Sequence, residues 1–426
     1  MQFKFAVLLL SLLVLTTAVP LEPRDKPSKD KPSKSKDVSP QAPMHTPIAE
    51  KSFHIPSTKG GKFNHGNPKY KAKGGCKKNH FKVKHHHHNG GIHDPHSPWN
   101  VHRDLPCICP IGHRMFWFFD DTFAYKADGT FVGAASNSVA VANDVDNPSN
   151  ITDISITYEG DVTVAIPWTD SEAEIQYDIK ARYAFWAYGP CIPIGPHHSW
   201  HIWSIVKFHG FKKYSHIGHT LAQYEYDEEK DKLSVSRHST VYYGENSYPY
   251  GAFASISVSG TIYLYAIDPN SDQYDIHVAA APQETVDDKD TWKYWDGSSK
   301  SWTKHAPNGS VRNKKSACIV GKLPFSSGNI FWSDYHNAYL LVFFSYFADS
   351  IFWAITAPTP VGPWDFTPIE IAKTTPGSNG YNYGGQATPV YYSNGNGQMG
   401  QKLVLSYTYQ DNDTNWYPAS DTVIFE

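Results

Sequence analysis

The chain has 426 residues and a formal net charge of −3, with 15% aromatic and only 19% charged residues. This composition excludes a long helical protein or coiled coil, which would be rich in Ala, Glu, Lys and Leu. The near-neutral total also argues against a nucleic-acid binder, but the charge is uneven, because residues 21–90 hold sixteen Lys and Arg against five Asp and Glu. The sequence therefore predicts a basic N-terminal tail followed by an acidic body.

Residues 1–18 have the pattern of a secretory signal peptide. Lys4 is followed by an apolar run from Phe5 to Val14 and by small residues that end at Ala18. The run is too short for a membrane span. Three N-glycosylation sequons favour export, and they begin at Asn150, Asn308 and Asn412. We therefore expect a secreted protein, located outside the cell or in the cell wall.

Residues 19–94 form a tail rich in Lys, His and Pro, with the repeat DKPSKDKPSKSK. Few aromatic and β-branched residues are present to offset the entropy of ordering, so the tail is predicted to be disordered. Its positive charge suits contact with anionic wall polymers. The tract His85–His88 is of a type that binds Zn²⁺ or Cu²⁺, but without fixed ligand spacing it favours adventitious or pH-dependent binding.

Four cysteines of the body suggest two disulfides in an oxidising compartment, with three possible connectivities. They are Cys107, Cys109, Cys191 and Cys318, while Cys76 lies in the tail. A bond between Cys107 and Cys109 would be strained because one residue separates them. Each is therefore expected to pair with Cys191 or Cys318.

Short aromatic or β-branched runs, bounded by Gly, Pro, Asn and Asp, recur along residues 95–426 and predict an all-β body. Five of them look alike and start 61 to 86 residues apart, at Arg114, Trp200, Thr261, Ala338 and Lys402. A repeat of this length, with about four strands, predicts a five-bladed β-propeller. The last strand, TVIFE, is expected to close the ring by pairing with the first blade. A β-sandwich or several small β-domains are the alternatives.

Three stretches carry a resemblance to a known family. They are VHRDLPCICPIGHRMFWFFDDTF at 101–123, TAPTPVGPWDF at 356–366 and YGGQATPV at 383–390. Together they resemble the secreted five-bladed propellers of the domain of unknown function 4185, and the layout is similar to arabinanase and xylosidase propellers. The resemblance implies a glycoside hydrolase that acts on an arabinan-like or similar cell-wall polysaccharide. The family usually has Gly-Asp-Thr where this chain has Asp120, Asp121 and Thr122, so the role of the extra carboxylate stays open.

Glycoside hydrolysis needs one carboxylic acid to protonate the leaving oxygen and a second carboxylate as base or nucleophile. Asp104 and Asp121 flank the first inner strand and match the family's Arg-Asp and Asp-Thr positions. Asp121 is favoured as base or nucleophile, with Asp104 as its partner and Asp120 beside them. Glu245 is the candidate acid, and Asp334 holds the equivalent place in the fourth blade. For the aspartates the alternative is a turn, and for Glu245 an ordinary surface position.

Sugar binding needs further groups around the carboxylates. Arg103 is a candidate to clamp substrate or orient a carboxylate, or it pairs structurally with Asp104. Gln386 is a candidate to reach the funnel from the last blade. Five aromatic residues in entry loops are candidate platforms, although most aromatics in such a fold pack between blades: Tyr248, Tyr250, Trp332, Tyr381 and Tyr383.

No cofactor and no metal ion is implied by the sequence. The expected partner is a polysaccharide or glycan, with neither nucleic acid nor membrane. Because a fold does not determine function, two alternatives stay open. One is a non-catalytic, lectin-like carbohydrate-binding propeller, and the other is a wall-associated structural protein in which the tail is the working part.

Overall fold

The computed structural model describes residues 46–55, 81–144, 146–176, 182–210, 213–271, 275–321, 325–345, 349–391, 399–412 and 415–426. The expected signal peptide and most of the expected tail lie outside these ranges. Regular structure in the described part is almost entirely β. The exceptions are α1 (Asp170–Ala173) and two short 3-10 turns, Gln283–Thr285 and Lys289–Thr291. No helix in these ranges is long and apolar enough to cross a membrane.

The described residues form 27 strands. The first nine are β1 (Ala49–His54), β2 (Val83–Gly91), β3 (Asn100–Arg103), β4 (Cys107–Ile111), β5 (Arg114–Phe119), β6 (Thr122–Tyr125), β7 (Phe131–Ala135), β8 (Ser138–Ala142) and β9 (Ile151–Asp153). The next eleven are β10 (Tyr183–Trp186), β11 (Ile192–Pro193), β12 (His198–Phe208), β13 (Tyr214–Asp227), β14 (Lys232–Arg237), β15 (Tyr243–Gly244), β16 (Ala254–Val258), β17 (Thr261–Ile267), β18 (Ile276–Pro282), β19 (Lys293–Asp296) and β20 (Ser301–Thr303). The last seven are β21 (Phe325–Ser333), β22 (Ala338–Ser345), β23 (Ile351–Ala357), β24 (Ile369–Lys373), β25 (Tyr383–Thr388), β26 (Lys402–Asn412) and β27 (Asn415–Phe425).

In the described part of the chain these strands form six antiparallel sheets, five larger and one small. The first sheet is β4-β5-β8-β9. The second runs from β10 and β11 through β12, β13 and β14 to β1, with β15 beside β13. The third is β16 to β20, the fourth β21 to β24, and the fifth β25-β26-β27-β2. The small sheet, β3-β6-β7, is attached where the chain enters and leaves the first sheet.

The five larger sheets pack face to face in a closed circuit. A buried apolar cluster fills each junction between successive sheets, and a further cluster joins the fifth sheet to the first. Buried pairs that represent these five junctions are Phe118 and Tyr224, Leu221 and Leu264, Val278 and Ile355, Phe352 and Tyr407, and Ile108 and Val404. Stacking of sheets around an axis is the β-propeller arrangement.

The recurring runs of the sequence form the second strand of each larger sheet. They are β5, β12, β17, β22 and β26. Except for β21, the innermost strands are shorter, and β11, β16, β21 and β25 contact one another in succession around the ring. The runs are mostly buried because neighbouring sheets cover both faces, as in β22, where every residue is buried. The sequence analysis placed these runs on the inner strands, and the structure places them one strand further out.

Two described segments of the expected tail are strands of the body. β1 adds to the edge of the second sheet beside β14, and β2 adds to the fifth sheet beside β27. The structure therefore differs at these segments from a tail that is disordered throughout residues 19–94. Such a strand needs no core of its own, because its backbone pairs with the unsatisfied groups of an existing sheet edge. The ring also closes differently, since the C-terminal strand pairs with β26 and β2 and not with the first sheet.

One disulfide links the first two sheets. Cys109 of β4 is bonded to Cys191, which immediately precedes β11. Cys107 is a buried free thiol and Cys318 a partly exposed one. Only one of the two expected bonds is therefore present. Cys318 packs between the third and fourth sheets, away from β4, so no other free thiol of the described residues lies beside Cys107.

Candidate active site

Three aspartates meet where the chain passes between the small sheet and the first sheet. Asp104 lies between β3 and β4, and Asp120 and Asp121 lie between β5 and β6. Both connections belong to antiparallel strand pairs, so they run side by side. The backbone N–H of Asp120 donates to the carbonyl oxygen of Asp104 at 3.0 Å. The pairing of two local hairpin strands therefore brings the three carboxylates to one place.

Donors from the second and fifth sheets reach the three carboxylates. The Asp120 Oδ1 accepts from the backbone N–H of Ala187 at 2.8 Å, and the Asp121 Oδ1 from the indole N–H of Trp186 at 3.1 Å. The Tyr383 hydroxyl donates to Asp104 Oδ2 at 3.0 Å. Asp120 and Asp121 are only 1% and 8% exposed. Because Asp104 Oδ1 and Asp120 Oδ2 are buried without a partner, the cluster is short of hydrogen-bond donors.

Burial moves the pKa values of all three carboxyls upward, and repulsion by a neighbouring carboxylate adds to the rise for Asp104 and Asp120. Burial raises the pKa of Asp104 to about 8, and the negative charge of Asp121 adds to the shift. Burial raises the pKa of Asp121 to about 6, while the charge of Arg182 and the Trp186 hydrogen bond oppose the rise. Burial first and the charge of Asp104 second hold the pKa of Asp120 well above its ordinary value. Near neutral pH the cluster therefore combines a protonated acid with an ionised carboxylate.

A rim of aromatic side chains surrounds the cluster. Tyr188 is 37% exposed, and its pKa is raised by burial and then by the three nearby carboxylates. His216 is exposed and lies 6.2 Å from the Tyr188 ring, between centroids. Tyr214 packs against Trp186 at 5.4 Å, and Tyr381 lies 5.7 Å from Tyr383. Flat, partly exposed rings therefore flank the carboxylates, of which Asp104 is itself partly exposed.

Gln386 ties the fifth sheet to this site. Its side chain is buried and donates to the carbonyl oxygen of Tyr188 at 2.9 Å and to the Cys107 Sγ at 3.4 Å. It reaches the centre of the ring, as expected, but it lies behind Tyr188 and contacts the backbone. Its role here is to position the segment that carries Trp186, Ala187 and Tyr188.

Arg103 points away from Asp104, although the two are adjacent in sequence. Its guanidinium is 1% exposed and forms two hydrogen bonds with the Asp153 carboxylate, at 2.6 and 3.1 Å. It also lies over the Phe119 ring at 4.3 Å. The expectation that Arg103 pairs with Asp104 is therefore wrong, and its contacts are those of a structural ion pair with Asp153.

Two predicted residues form a hairpin contact far from the cluster. Trp332 is buried between the third and fourth sheets, and its indole N–H donates to Asp334 Oδ1 at 2.7 Å. Asp334 lies in the turn after β21. Near the start of β21, the Ser327 hydroxyl donates to the carbonyl oxygen of Gly385 in β25. Nine residues of strand, about 30 Å, separate that start from the turn. The turn interpretation of Asp334 agrees with this position.

The third-blade candidates also lie outside the cluster. Glu245 is an exposed residue after β15, and no contact with the three aspartates is found among the described residues. Tyr250 is buried against Trp292 and Tyr294. Tyr248 stacks on His277, with ring centroids 4.1 Å apart. These tyrosines pack the fold, and the acid must be sought within the aspartate cluster.

The sequence analysis missed the second-sheet half of the site. Arg182, Trp186, Ala187, Tyr188 and Tyr214 all contribute, as described above. The stretch YAFWAYGP at 183–190 is aromatic and ends at Gly-Pro, but many aromatic stretches of this chain share that character. Nothing in the sequence separates it from a packing strand.

The histidine tract forms part of β2 and not a recognisable metal site. His86 Nε2 and His88 Nδ1 lie 2.6 and 2.8 Å from the two carboxylate oxygens of Asp421. The Tyr407 hydroxyl donates to the same carboxylate at 2.9 Å. Within the described ranges, no group of three or more His, Cys, Asp or Glu side chains is arranged to hold a metal ion.

Comparison with known proteins gives fold relatives and a family. No curated protein matches the sequence. The chain is similar to a candidate hydrolase from Bacteroides ovatus ATCC 8483, at 17% identity and a TM-score of 0.58, over 77% of this chain and 86% of that one. The two proteins therefore share a fold.

Two further solved structures are similar at lower scores. One is a family 117 glycoside hydrolase of the marine bacterium Zobellia galactanivorans, at 9% identity and a TM-score of 0.45, over 81% of this chain and 91% of that one. The other is the catalytic domain of a family 62 α-L-arabinofuranosidase of Coprinopsis cinerea, at 10% identity and 0.38, over 86% and 98%.

The family match covers most of the body. A family model described as domain of unknown function (DUF5005) matches residues 110–422, which include Asp120 and Asp121 and begin just after Asp104. The resemblance to the domain of unknown function 4185 is not confirmed. Since the match spans well over half of its length, this chain belongs to the DUF5005 family.

Proposed function

We propose that the protein is a secreted five-bladed β-propeller that hydrolyses glycosidic bonds. The observation that carries the proposal is the meeting of Asp104, Asp120 and Asp121 with pKa values raised to different extents. Paired carboxyls with separated pKa values are what acid–base hydrolysis of a glycoside requires. The five larger sheets support the blade count, and the disulfide suits an oxidising compartment.

Asp104 is the general acid in this proposal. Its pKa of about 8 keeps the carboxyl protonated near neutral pH, so it has a proton to give to the leaving oxygen. It is also partly exposed, whereas Asp120 is buried and bonded to the Ala187 backbone. The Asp104 carboxyl therefore replaces Glu245 as the candidate acid.

Asp121 is the base or nucleophile. Its pKa of about 6 leaves the carboxylate ionised at neutral pH, and the charge of Arg182 and the Trp186 N–H stabilise that form. Asp120 orients the pair, because its carboxylate fixes the Ala187 backbone beside the Trp186 donor. Each of the three aspartates then has a separate task, set by its own environment.

The exposed rings around the carboxylates suit a sugar substrate. Pyranose and furanose faces present C–H groups that pack on aromatic side chains, and Tyr188, Tyr214 and Tyr381 are partly exposed in that position. The resemblance of the sequence motifs to arabinan-type hydrolases directs the choice of polymer. We propose a cell-wall polysaccharide, arabinan or a related chain, as the substrate.

The test is incubation of the full chain with a panel of arabinan, arabinoxylan, xylan and mixed-linkage glucan, followed by analysis of released sugars. Release from at least one polymer is expected. Asp121→Asn should lower the rate by about 10² to 10⁴-fold, the usual contribution of a general acid or base. Asp128→Asn is the matched control, because Asp128 is an exposed turn residue between β6 and β7, and its rate should be unchanged.

Two results would overturn the proposal. Full activity of Asp121→Asn would remove the aspartate cluster from the chemistry. Binding of a polysaccharide without any release, unchanged by Asp121→Asn, would instead identify a non-catalytic carbohydrate-binding propeller.

A further inference from the structure

A cavity lies beside the small sheet, away from the aspartate cluster's own side chains. Its volume is about 570 Å³, which is within the range of about 300 to 1,000 Å³ of small-molecule sites. β3 and the segment before it form one wall, and the start of β27 forms the other. Asp153 closes the base beside Arg103. The proposed function uses none of its aromatic side chains.

Aromatic rings from two distant parts of the chain face this cavity. Trp99 is partly exposed and is held by a hydrogen bond from its indole N–H to the Thr157 carbonyl at 2.8 Å. Trp416 is packed edge-on against His102, at 5.2 Å between centroids. Tyr417 is supported from behind by stacking on Tyr409 at 4.9 Å. Each ring is fixed by its own contact, so the walls are preformed.

The charged groups of the cavity have partners within the protein, although the Arg103 Nε is buried without a hydrogen-bond partner. The Asp153 carboxylate is paired with Arg103. The two Asp94 oxygens accept from the backbone N–H groups of His96 and Asp153, at 2.8 and 3.0 Å. Burial lowers the pKa of His102, so its imidazole is neutral near pH 7. No positive charge is therefore left unpaired among these groups to attract an anionic ligand.

Neutral polar groups remain available for a ligand. The His102 Nδ1 is buried and has no hydrogen-bond partner. The amide residues Asn100 and Asn415 line the opening, and both are at least partly exposed. Flat rings with neutral donors and acceptors between them match the alternating C–H faces and hydroxyl groups of uncharged sugars. They do not match an acidic polymer, because the cavity residues carry a net negative charge.

We propose that this cavity is a carbohydrate-binding site for a short neutral segment of a glycan, separate from the aspartate cluster. The proposal rests on the proposed function for the class of ligand but not for catalysis. Arg103 lines the cavity and precedes Asp104, and it pairs across β6 with Thr122, which follows Asp121. The two sites therefore lie on successive residues of the same strand pair.

The test measures binding without cleavage. Asp121→Asn, as the full chain, is run through native gels that contain arabinan, arabinoxylan, xylan or mixed-linkage glucan, with polygalacturonate as an acidic comparator. Retardation is expected with at least one neutral polymer and not with polygalacturonate. Adding Trp99→Ala should weaken the binding by about tenfold or more, since an aromatic anchor commonly contributes that much. Adding Trp302→Ala, a partly buried Trp of the third sheet, should leave retardation unchanged.

Trp99→Ala is preferred to Trp416→Ala, because Trp416 also packs on Phe123 and its loss would disturb the small sheet. Thermal melting of each variant verifies folding. Retardation that survives Trp99→Ala in a folded protein overturns the inference, as does binding of polygalacturonate at the level of the neutral polymers. Loss of retardation together with unchanged hydrolysis of a short oligosaccharide by Trp99→Ala alone supports it. Loss of retardation in a protein that cleaves no polymer supports this site while the catalytic proposal fails.

Discussion

Arg103 and Asp104 are neighbours in the sequence, but the charge of Arg103 is paired with an opposite charge and that of Asp104 is not. The Arg103 guanidinium is buried and matched by two hydrogen bonds to Asp153. Asp104 lies against two more carboxyls, with one oxygen buried and unpartnered. The ion pair of Arg103 with Asp153 stabilises the place where the small sheet joins the first sheet. Charge that is left uncompensated raises the pKa values from which we infer acid–base chemistry.

The largest effect is expected from breaking the compensated pair. Asp153→Ala leaves the Arg103 guanidinium buried without its partner, which should lower the free energy of unfolding by about 3 to 5 kcal/mol. Urea unfolding measures it. The double variant Arg103→Met, Asp153→Leu removes both charges and should recover most of the loss. A loss below about 1 kcal/mol for the single variant would show that the pair is not the structural ion pair described here.

Removing a carboxyl from the aspartate cluster should have the opposite effect and raise the free energy of unfolding. Asp120→Asn keeps an acceptor for the Ala187 N–H and removes a buried acid, so the free energy of unfolding should rise by about 1 to 3 kcal/mol at pH 7. Because the folded-state pKa of Asp120 is raised, the native protein binds more protons than the unfolded chain above about pH 4. Wild-type stability therefore falls as pH rises from that point towards the folded-state pKa.

The gain from Asp120→Asn should accordingly grow with pH through this window. Urea unfolding at pH 4, 6 and 8 measures it, with Asp128→Asn as the exposed control. A destabilised Asp120→Asn variant at pH 8 would mean that the carboxylate is satisfied after all.

The smallest effect tests the assignment of Asp104 as the acid. The proposed pair predicts a bell-shaped pH–rate profile, with limbs near pH 6 from Asp121 and near pH 8 from Asp104. The Tyr383 hydroxyl stabilises the ionised form of Asp104. Tyr383→Phe should therefore shift the apparent pKa of the alkaline limb upward by about 0.5 to 1 pH unit.

The matching control is Tyr263→Phe, whose ring packs against Trp302 in the third sheet, away from both sites. Rates over pH 4 to 10 with the polymer that the panel identifies give the measurement. If the apparent pKa of the alkaline limb is unchanged in Tyr383→Phe, that limb belongs to a group other than Asp104.

The parts of the molecule that the sequence predicted well depend on local pattern. The recurring runs gave the all-β ring because each is long, apolar on both faces and bounded by turn residues. The meeting of Asp104 with Asp120 and Asp121 was also within reach, because an antiparallel hairpin joins their flanks. Trp332 and Tyr250 were misread because aromatic residues that pack between sheets have the same composition as those that face a ligand.

The parts that the sequence missed depend on contacts between distant segments. Trp186 donates to Asp121 across 65 residues, and no spacing rule connects them. Trp416 meets His102 only because the end of the fifth sheet packs against the small sheet. The strand β2 was assigned to the tail because its histidines and lysines cannot form a core, whereas its pairing needs only the edge of β27.

The pairing of β2 with β27 also affects how the ring assembles. His86 and Asp421, which contact each other across these strands, are 335 residues apart in sequence. During synthesis β2 emerges early and stays without its partner until β27 has been made. Until then β2 has no strand edge to pair with, and His86 and His88 lack the Asp421 carboxylate, which belongs to β27 itself. The fold can therefore be completed only after almost the whole body has been made. The pairing that completes the fifth sheet joins the two paired strands that lie farthest apart in the sequence.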